Sequence, residues 1–185
     1  MIARVLFVDD DAQMRHSTAQ ALRLAGFQVE ALTGGEEALA LAGPGFAGVV
    51  VSDIRMPGMD GMTLLERLHE VDPEVPVILV TGHAEVPLAV EAIRKGAYDF
   101  IEKPFVMQEL ATVIRRAIDH RALVLENRQL RAVAGKRDDV EARLPGRTQV
   151  MVDLRYRLRA IGASDADALF GVIDSAAKSL GFEHC

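Results

Sequence analysis

Apolar residues in this chain come in short contiguous runs that alternate with stretches of helical spacing. Arg4-Val5-Leu6-Phe7-Val8 opens the series as a buried strand rich in β-branched and aromatic residues. From Asp11 onward, Met14, Ala21, Leu22, Leu24 and Ala25 recur at helical intervals, and Gly26 follows where a C-cap belongs. Phe27–Ala31 predicts a second strand, and Gly34-Gly35 open a short helix that Gly43-Pro44 end. Val49-Val50-Val51, a third strand, does not alternate, which implies cover on both of its faces. Met62–Leu68 reads as a helix, and Val75–Val80 as a fourth strand with Pro76 near its start, where a missing donor is tolerated. Pro87–Lys95 predicts a helix with its proline early and Gly96 just beyond, and Tyr98–Ile101 a fifth strand.

This alternation predicts an α/β fold, a five-stranded parallel sheet doubly wound with helices on both faces. In such sheets the loops at the carboxyl ends of the strands hold the ligand. Asp9 and Asp10 follow the first strand, Asp53 the third, Thr81 the fourth and Lys103 the fifth. All five therefore fall on one edge of the sheet.

Composition narrows the function classes. Half of the residues are apolar and 26% charged, the balance of a globular chain. A net charge of −6 gives no support to a nucleic-acid-binding surface, so direct DNA binding by this chain is not expected. The single cysteine, Cys185, excludes an intrachain disulfide. Neither an apolar run long enough to span a membrane nor a signal-peptide pattern is present, so a cytoplasmic protein without membrane association is expected.

The strand-end residues carry a specific chemistry. A carboxylate can accept a phosphoryl group as an acyl phosphate, with Asp53 as the nucleophile. Two anionic partners must then meet, and Mg²⁺ suits the bridge because it takes carboxylate, carbonyl, water and phosphate oxygens. Asp10 and Asp53 would give direct oxygens, Asp9 would act mainly through water, and the Arg55 backbone carbonyl would complete the protein's share. Lys103 would pair with a phosphoryl oxygen as a compact charge and the Thr81 hydroxyl would donate to another. Taken singly, acidic residues after strands serve as turn formers and caps. Asp11 reads as such a cap and Asp60 before Gly61 as turn chemistry. Five suitable residues at strand ends favour the site. No pair among the five histidines has metal-site spacing, and His83 alone lies near the predicted pocket.

Residues 1–122 resemble the receiver domain of two-component response regulators, a flavodoxin-like fold. The resemblance rests on Asp9-Asp10, on Asp53 with its loop Met56-Pro57-Gly58-Met59-Asp60-Gly61, on Thr81-Gly82 and on Lys103-Pro104-Phe105. It implies Asp53 as phosphoacceptor, Asp9 and Asp10 as the acidic metal site, Thr81 as the switch hydroxyl, Lys103 as the phosphate contact and Phe100 as the switch aromatic. It also implies a histidine kinase as partner, with Mg²⁺-dependent autophosphorylation and slow autodephosphorylation rather than enzymatic turnover. Ser52–Gly61, Val80–His83 and Gly96–Phe105 are most similar to dicarboxylate-transport regulators of the NtrC class, which join a receiver to an AAA+ ATPase acting on the sigma-N polymerase.

In that class the last receiver helix continues into a dimerising linker. Residues 108–134 predict one helix without Gly or Pro, with His120, Leu123, Asn127, Leu130 and Ala134 as a coiled-coil seam. A homodimer through the receiver face and this helix is expected. Arg115, Arg116, Arg121, Arg128 and Arg131 read as a solvated basic face. Residues 135–185 read as a linker and an incomplete AAA+ or fusion remnant, poorly ordered. Val172 and Ala177 stand where a phosphate loop requires glycine, so no intact ATPase motif is expected. The resulting reading is a phosphoacceptor regulator with no intact output domain. The alternative is a truncated form of an ATP-dependent sigma-N transcription activator.

Overall fold

The computed structural model describes residues 4–82 and 86–143, the side chains of 86 and 134–143 excepted. Five strands, β1 (Arg4–Val8), β2 (Gln28–Leu32), β3 (Gly48–Asp53), β4 (Val77–Thr81) and β5 (Asp99–Glu102), pair in parallel in the order β2-β1-β3-β4-β5. Helices α1 (Ala12–Leu24), α2 (Gly35–Leu41), α3 (Gly61–Val71), α4 (Val86–Arg94) and α5 (Met107–Arg143) connect and follow them. The chain divides after Glu126 into two compact units. The first carries the sheet, and the described part of the second is the last stretch of α5.

The continuous apolar strands are explained by two cores, one on each face. Leu6, Val8, Val50, Val77 and Leu79 face Ala38 of α2, Leu64, Leu65 and Leu68 of α3, and Ala92 of α4. Val5, Phe7, Val49, Val51, Ile78 and Val80 face Ala19 and Leu22 of α1 and Leu110, Ile114 and Ala117 of α5. Successive strand residues point to opposite faces, so a strand buried on both must be apolar at every position.

Three sequence expectations need correction. Asp53 and Thr81 are the last residues of β3 and β4 rather than the first beyond them, so their backbones are held by ladder pairing. The last helix runs from Met107 to Arg143, through Gly135, where a linker was expected. Glycine inside a helix costs about 1 kcal/mol relative to alanine, a penalty that the helix-forming residues around it can offset. Arg121 is not part of a solvated face, being 1% exposed. It reaches the amino ends of β3 and β4, where its Nε donates to the Phe46 carbonyl at 2.9 Å and its Nη2 to Asp72 Oδ2 at 2.6 Å. His120, expected in the seam, has its ring 5.9 Å from that of Tyr98 in its own chain.

Candidate functional site

The strand order makes the site. β1 and β3 are direct neighbours with Val8 opposite Ser52, so the next residues, Asp9 and Asp53, emerge side by side at the carboxyl edge. The sheet reverses its direction of winding at this point, where a crevice opens between the two connections. Carboxylate oxygens of Asp9, Asp10 and Asp53 all lie within 4.8 Å of one another.

Lys103 reaches this cluster from β5. Its N–H donates to the Thr81 carbonyl at 2.7 Å, and its Nζ donates to Asp9 Oδ2 at 2.8 Å and Asp53 Oδ2 at 3.0 Å. The Lys103–Pro104 peptide bond is cis. Burial opposes the Lys103 charge, but the bonds to Asp9 and Asp53 outweigh it and hold its pKa above the usual lysine value. The second oxygen of Asp9, Oδ1, accepts from the Asp11 N–H at 2.9 Å. Both Asp9 oxygens are thus engaged, whereas Asp10 is exposed. Three carboxylates facing one crevice, two of them held by a single lysine, are a donor set that fits a hard divalent cation.

Loop chemistry around Asp53 follows its sequence. Asp60 caps α3, its Oδ1 accepting from the Thr63 N–H at 2.7 Å. The expected turn residue is therefore a helix cap, and Asp60→Ala should cost about 1 kcal/mol of stability in urea unfolding. Gly61 is required by close approach, since a Cβ there would collide with the Asp53 carbonyl. Gly58 adopts φ 78°, the left-handed region that glycine tolerates. Ser52 Oγ donates to the Asp53 carbonyl at 2.9 Å, and the Ile54 N–H to the Val80 carbonyl at 2.9 Å, so the peptide that follows the carboxylate is tied down at both its oxygen and its nitrogen.

The remaining expected residues divide by position. Thr81 is fully buried at the end of β4, paired with Glu102 of β5. Phe100 is half-buried on β5 opposite Leu79 and packs on the core beneath α2, α3 and α4, outside the carboxylate cluster. Arg55 is exposed in the loop after β3. His83 lies outside the described residues. Sequence reasoning missed Arg15, whose Nη1 donates to the carbonyls of Asp9 and Asp10 at 2.7 and 3.1 Å. Its signal was a cation in the first turns of a helix, opposed to the helix dipole.

Burial raises the Asp9 pKa above 3.8 despite the opposing contact with Lys103. The folded state therefore holds this proton more tightly than the unfolded chain does. The resulting stabilisation is complete below the unfolded value and is lost as pH rises through the folded one. At neutral pH the ionised Asp9 is a cost to the fold, which a divalent cation would offset. Added Mg²⁺ is expected to raise the melting temperature at pH 7, and the increase should shrink on acidification at a higher pH than for an ordinary aspartate. Thermal melts with and without Mg²⁺ across that range check this.

Residues 5–115 match the model of the response regulator receiver domain. The chain belongs to the response regulator receiver family. It is 49% identical over 166 residues to the C4-dicarboxylate transport transcriptional regulatory protein DctD of Pseudomonas aeruginosa, covering 90% of this chain and 36% of that protein. Identity to the DctD protein of Rhizobium meliloti is 48% over 167 residues, covering 89% and 36%. The chain thus spans about a third of the length of these curated relatives. Among solved structures, the crystal structure of FixJ-N aligns with TM-score 0.60 at 43% identity, over 65% of this chain and 96% of that one. The beryllofluoride-activated NtrC4 receiver domain dimer aligns with TM-score 0.59 at 35% identity, over 64% and 98%. No helix among the described residues is long and apolar enough to cross a membrane.

Proposed function

We propose that this receiver is phosphorylated on Asp53 by a histidine kinase and signals by a conformational and dimerisation switch. One observation carries the reading: Lys103 Nζ joins Asp9 and Asp53 beside Asp10 in a single crevice. An Asp53 oxygen attacks the phosphorus of the donor, and the P–N bond of a phosphohistidine breaks. The electron pair leaves on the imidazole nitrogen, which the solvent reprotonates. Lys103 faces the incoming phosphoryl oxygens, and the Thr81 hydroxyl at the neighbouring strand end donates to one of them. Mg²⁺, held by Asp9, Asp10, Asp53 and the Arg55 carbonyl, would neutralise the charge that these carboxylates and the phosphoryl group bring together. Water later cleaves the acyl phosphate, so the chain resets itself without turning over a substrate.

The output surface lies where α4 and the β5–α5 connection expose Val90, Ile93 and Val106. Phe100, half-buried against the core, would follow Thr81 inward on phosphorylation. Leu123 and Leu130, seven residues apart on α5, are also exposed, in keeping with a dimerising helix in residues 108–134 that begins within the receiver of residues 1–122 and runs on beyond it. The parallel is the NtrC4 receiver, which is a dimer in its beryllofluoride-activated form. Light scattering should show a larger mass on adding Mg²⁺ and beryllofluoride, and Ile93→Lys should weaken that association by about tenfold or more. An unchanged wild-type mass and unchanged partner binding would remove the switch.

The test of the phosphoacceptor is direct. Acetyl phosphate with Mg²⁺ should label the protein with an acid-stable, base-labile acyl phosphate in the peptide that contains Asp53, and chelation should prevent it. Label elsewhere, or label independent of divalent cation, would defeat the reading. Similarity to the DctD proteins over 90% of the chain, well beyond residue 115, favours a second statement. The receiver serves a transcription regulator of that kind, whose ATPase segment would lie downstream. An open reading frame encoding an intact phosphate loop in continuity with this sequence would establish it.

A further inference from the structure

The start of α1 contains a residue whose position is costly unless it acts on the acidic site. Arg15 is the fourth residue of α1, after Ala12, Gln13 and Met14. The first turns of a helix carry partial positive charge, so a guanidinium there opposes the dipole. Helical side chains lean toward the amino end of their helix, so from this position Arg15 reaches back over the cap. Its Nη1 donates at 2.7 Å to the carbonyl of Asp9 and at 3.1 Å to that of Asp10. One nitrogen thereby fixes two successive peptide planes.

Those planes set the directions in which the Asp9 and Asp10 side chains leave the backbone. Nearby bonds complete the arrangement. Asp11 donates its N–H to Asp9 Oδ1, accepts at its own Oδ1 from the N–H groups of Gln13 and Met14, and accepts at its carbonyl from the Arg15 N–H. Cap bonds to Met14 and Gln13 hold the Asp11 carboxyl below its usual pKa, with the cations Lys103 and Arg15 adding to them. Asp11 is therefore committed to the helix and leaves the crevice to Asp9, Asp10 and Asp53. Without Arg15, the carbonyls of Asp9 and Asp10 would lose this shared donor, and of these two adjacent carboxylates Asp9 alone would keep its bonds to Lys103 and the Asp11 N–H.

We infer that Arg15 is a positioning residue of the phosphorylation site, setting its divalent-cation affinity by clamping the Asp9 and Asp10 carbonyls. The inference rests on the phosphoacceptor reading above. Outer partners that orient metal-binding groups typically change affinity by about 10- to 100-fold when removed. The hydrogen bonds of Arg15 go to backbone carbonyls rather than to the carboxylates, so the lower end of that range is expected.

The experiment uses the full chain and Mg²⁺ itself. Arg15→Met keeps the aliphatic stem and removes the donors, and Arg15→Lys restores a cation able to donate to both carbonyls. Calorimetric Mg²⁺ titration gives affinity without any phosphorylation, and acetyl phosphate labelling as a function of Mg²⁺ gives the half-saturation and the plateau rate separately. Arg15→Met should weaken Mg²⁺ binding by about tenfold and shift the half-saturation equally, with a plateau near wild type, and Arg15→Lys should recover most of the loss. A lower melting temperature with unchanged Mg²⁺ affinity would overturn the inference, because the residue would then serve the fold alone. If Arg15→Met does not fold, Arg15→Lys and Arg15→Gln decide the matter, and equal affinities in those two would also overturn it. Absence of Mg²⁺ binding or Asp53 labelling in the wild type would instead defeat the phosphoacceptor reading.

Discussion

Arg121→Ala is expected to destabilise the receiver by about 3–5 kcal/mol, the usual consequence of removing one partner of a buried ion pair. Arg121 and Asp72 have side chains only 1% and 3% exposed, and their contact measures 2.6 Å. Truncating the arginine removes the guanidinium from a buried carboxylate and strips the Phe46 carbonyl of the Nε donor. The effect should appear as a fall in the urea midpoint and a drop of about 10 °C or more in the melting temperature. The double variant Arg121→Met with Asp72→Leu separates pairing from packing. Arg121 Nη1 has no hydrogen-bond partner among the described residues, so within them the network is incompletely satisfied. Replacing both charges with apolar groups should recover most of the loss. An Arg121→Ala variant within about 1 kcal/mol of wild type would show that solvent reaches this pair, contrary to its burial.

Asp53→Asn should leave no detectable acyl phosphate, because an amide cannot accept the phosphoryl group through an ionised oxygen. The fold should survive, since the Lys103–Asp9 bond remains and Asp53 contributes only one of the lysine's two carboxylate contacts. Circular dichroism checks that condition, and labelling with acetyl phosphate and Mg²⁺ checks the chemistry. Lys103→Met supplies the complementary variant. It keeps the acceptor and all three acidic groups, so it should retain divalent-cation binding while phosphorylation slows. If Asp53→Asn labels as well as wild type, the nucleophile lies elsewhere. If Lys103→Met labels normally, the lysine only neutralises the crevice.

Most elements were legible because they follow from local rules. The five strands are short apolar runs, and the glycines after Ala25 and Lys95 do stop helices, with φ 92° at Gly26 and 97° at Gly96. The strand-end rule placed Asp9, Asp10, Asp53 and Lys103 on one edge, and the carboxylates and the lysine do meet there. Local rules misjudged Gly135, which propensity alone makes a break and which α5 passes through. They also misjudged Arg121, because a basic residue on an exposed-looking helix carries no local mark of an aspartate 49 positions away.

The sequence by itself determined the alternating α/β class, the two-sided burial of the strands and the kinds of groups at their carboxyl ends. Periodicity, caps and turn residues act over a few positions, and a single chain displays them openly. Only the tertiary structure decided that β1 lies against β3, that one lysine joins Asp9 to Asp53, and that Arg15 and Arg121 act at opposite edges of the sheet. Those facts depend on which strands become neighbours and which charges lose their water. Burial and pairing across tens of residues set that outcome, and no short pattern encodes it.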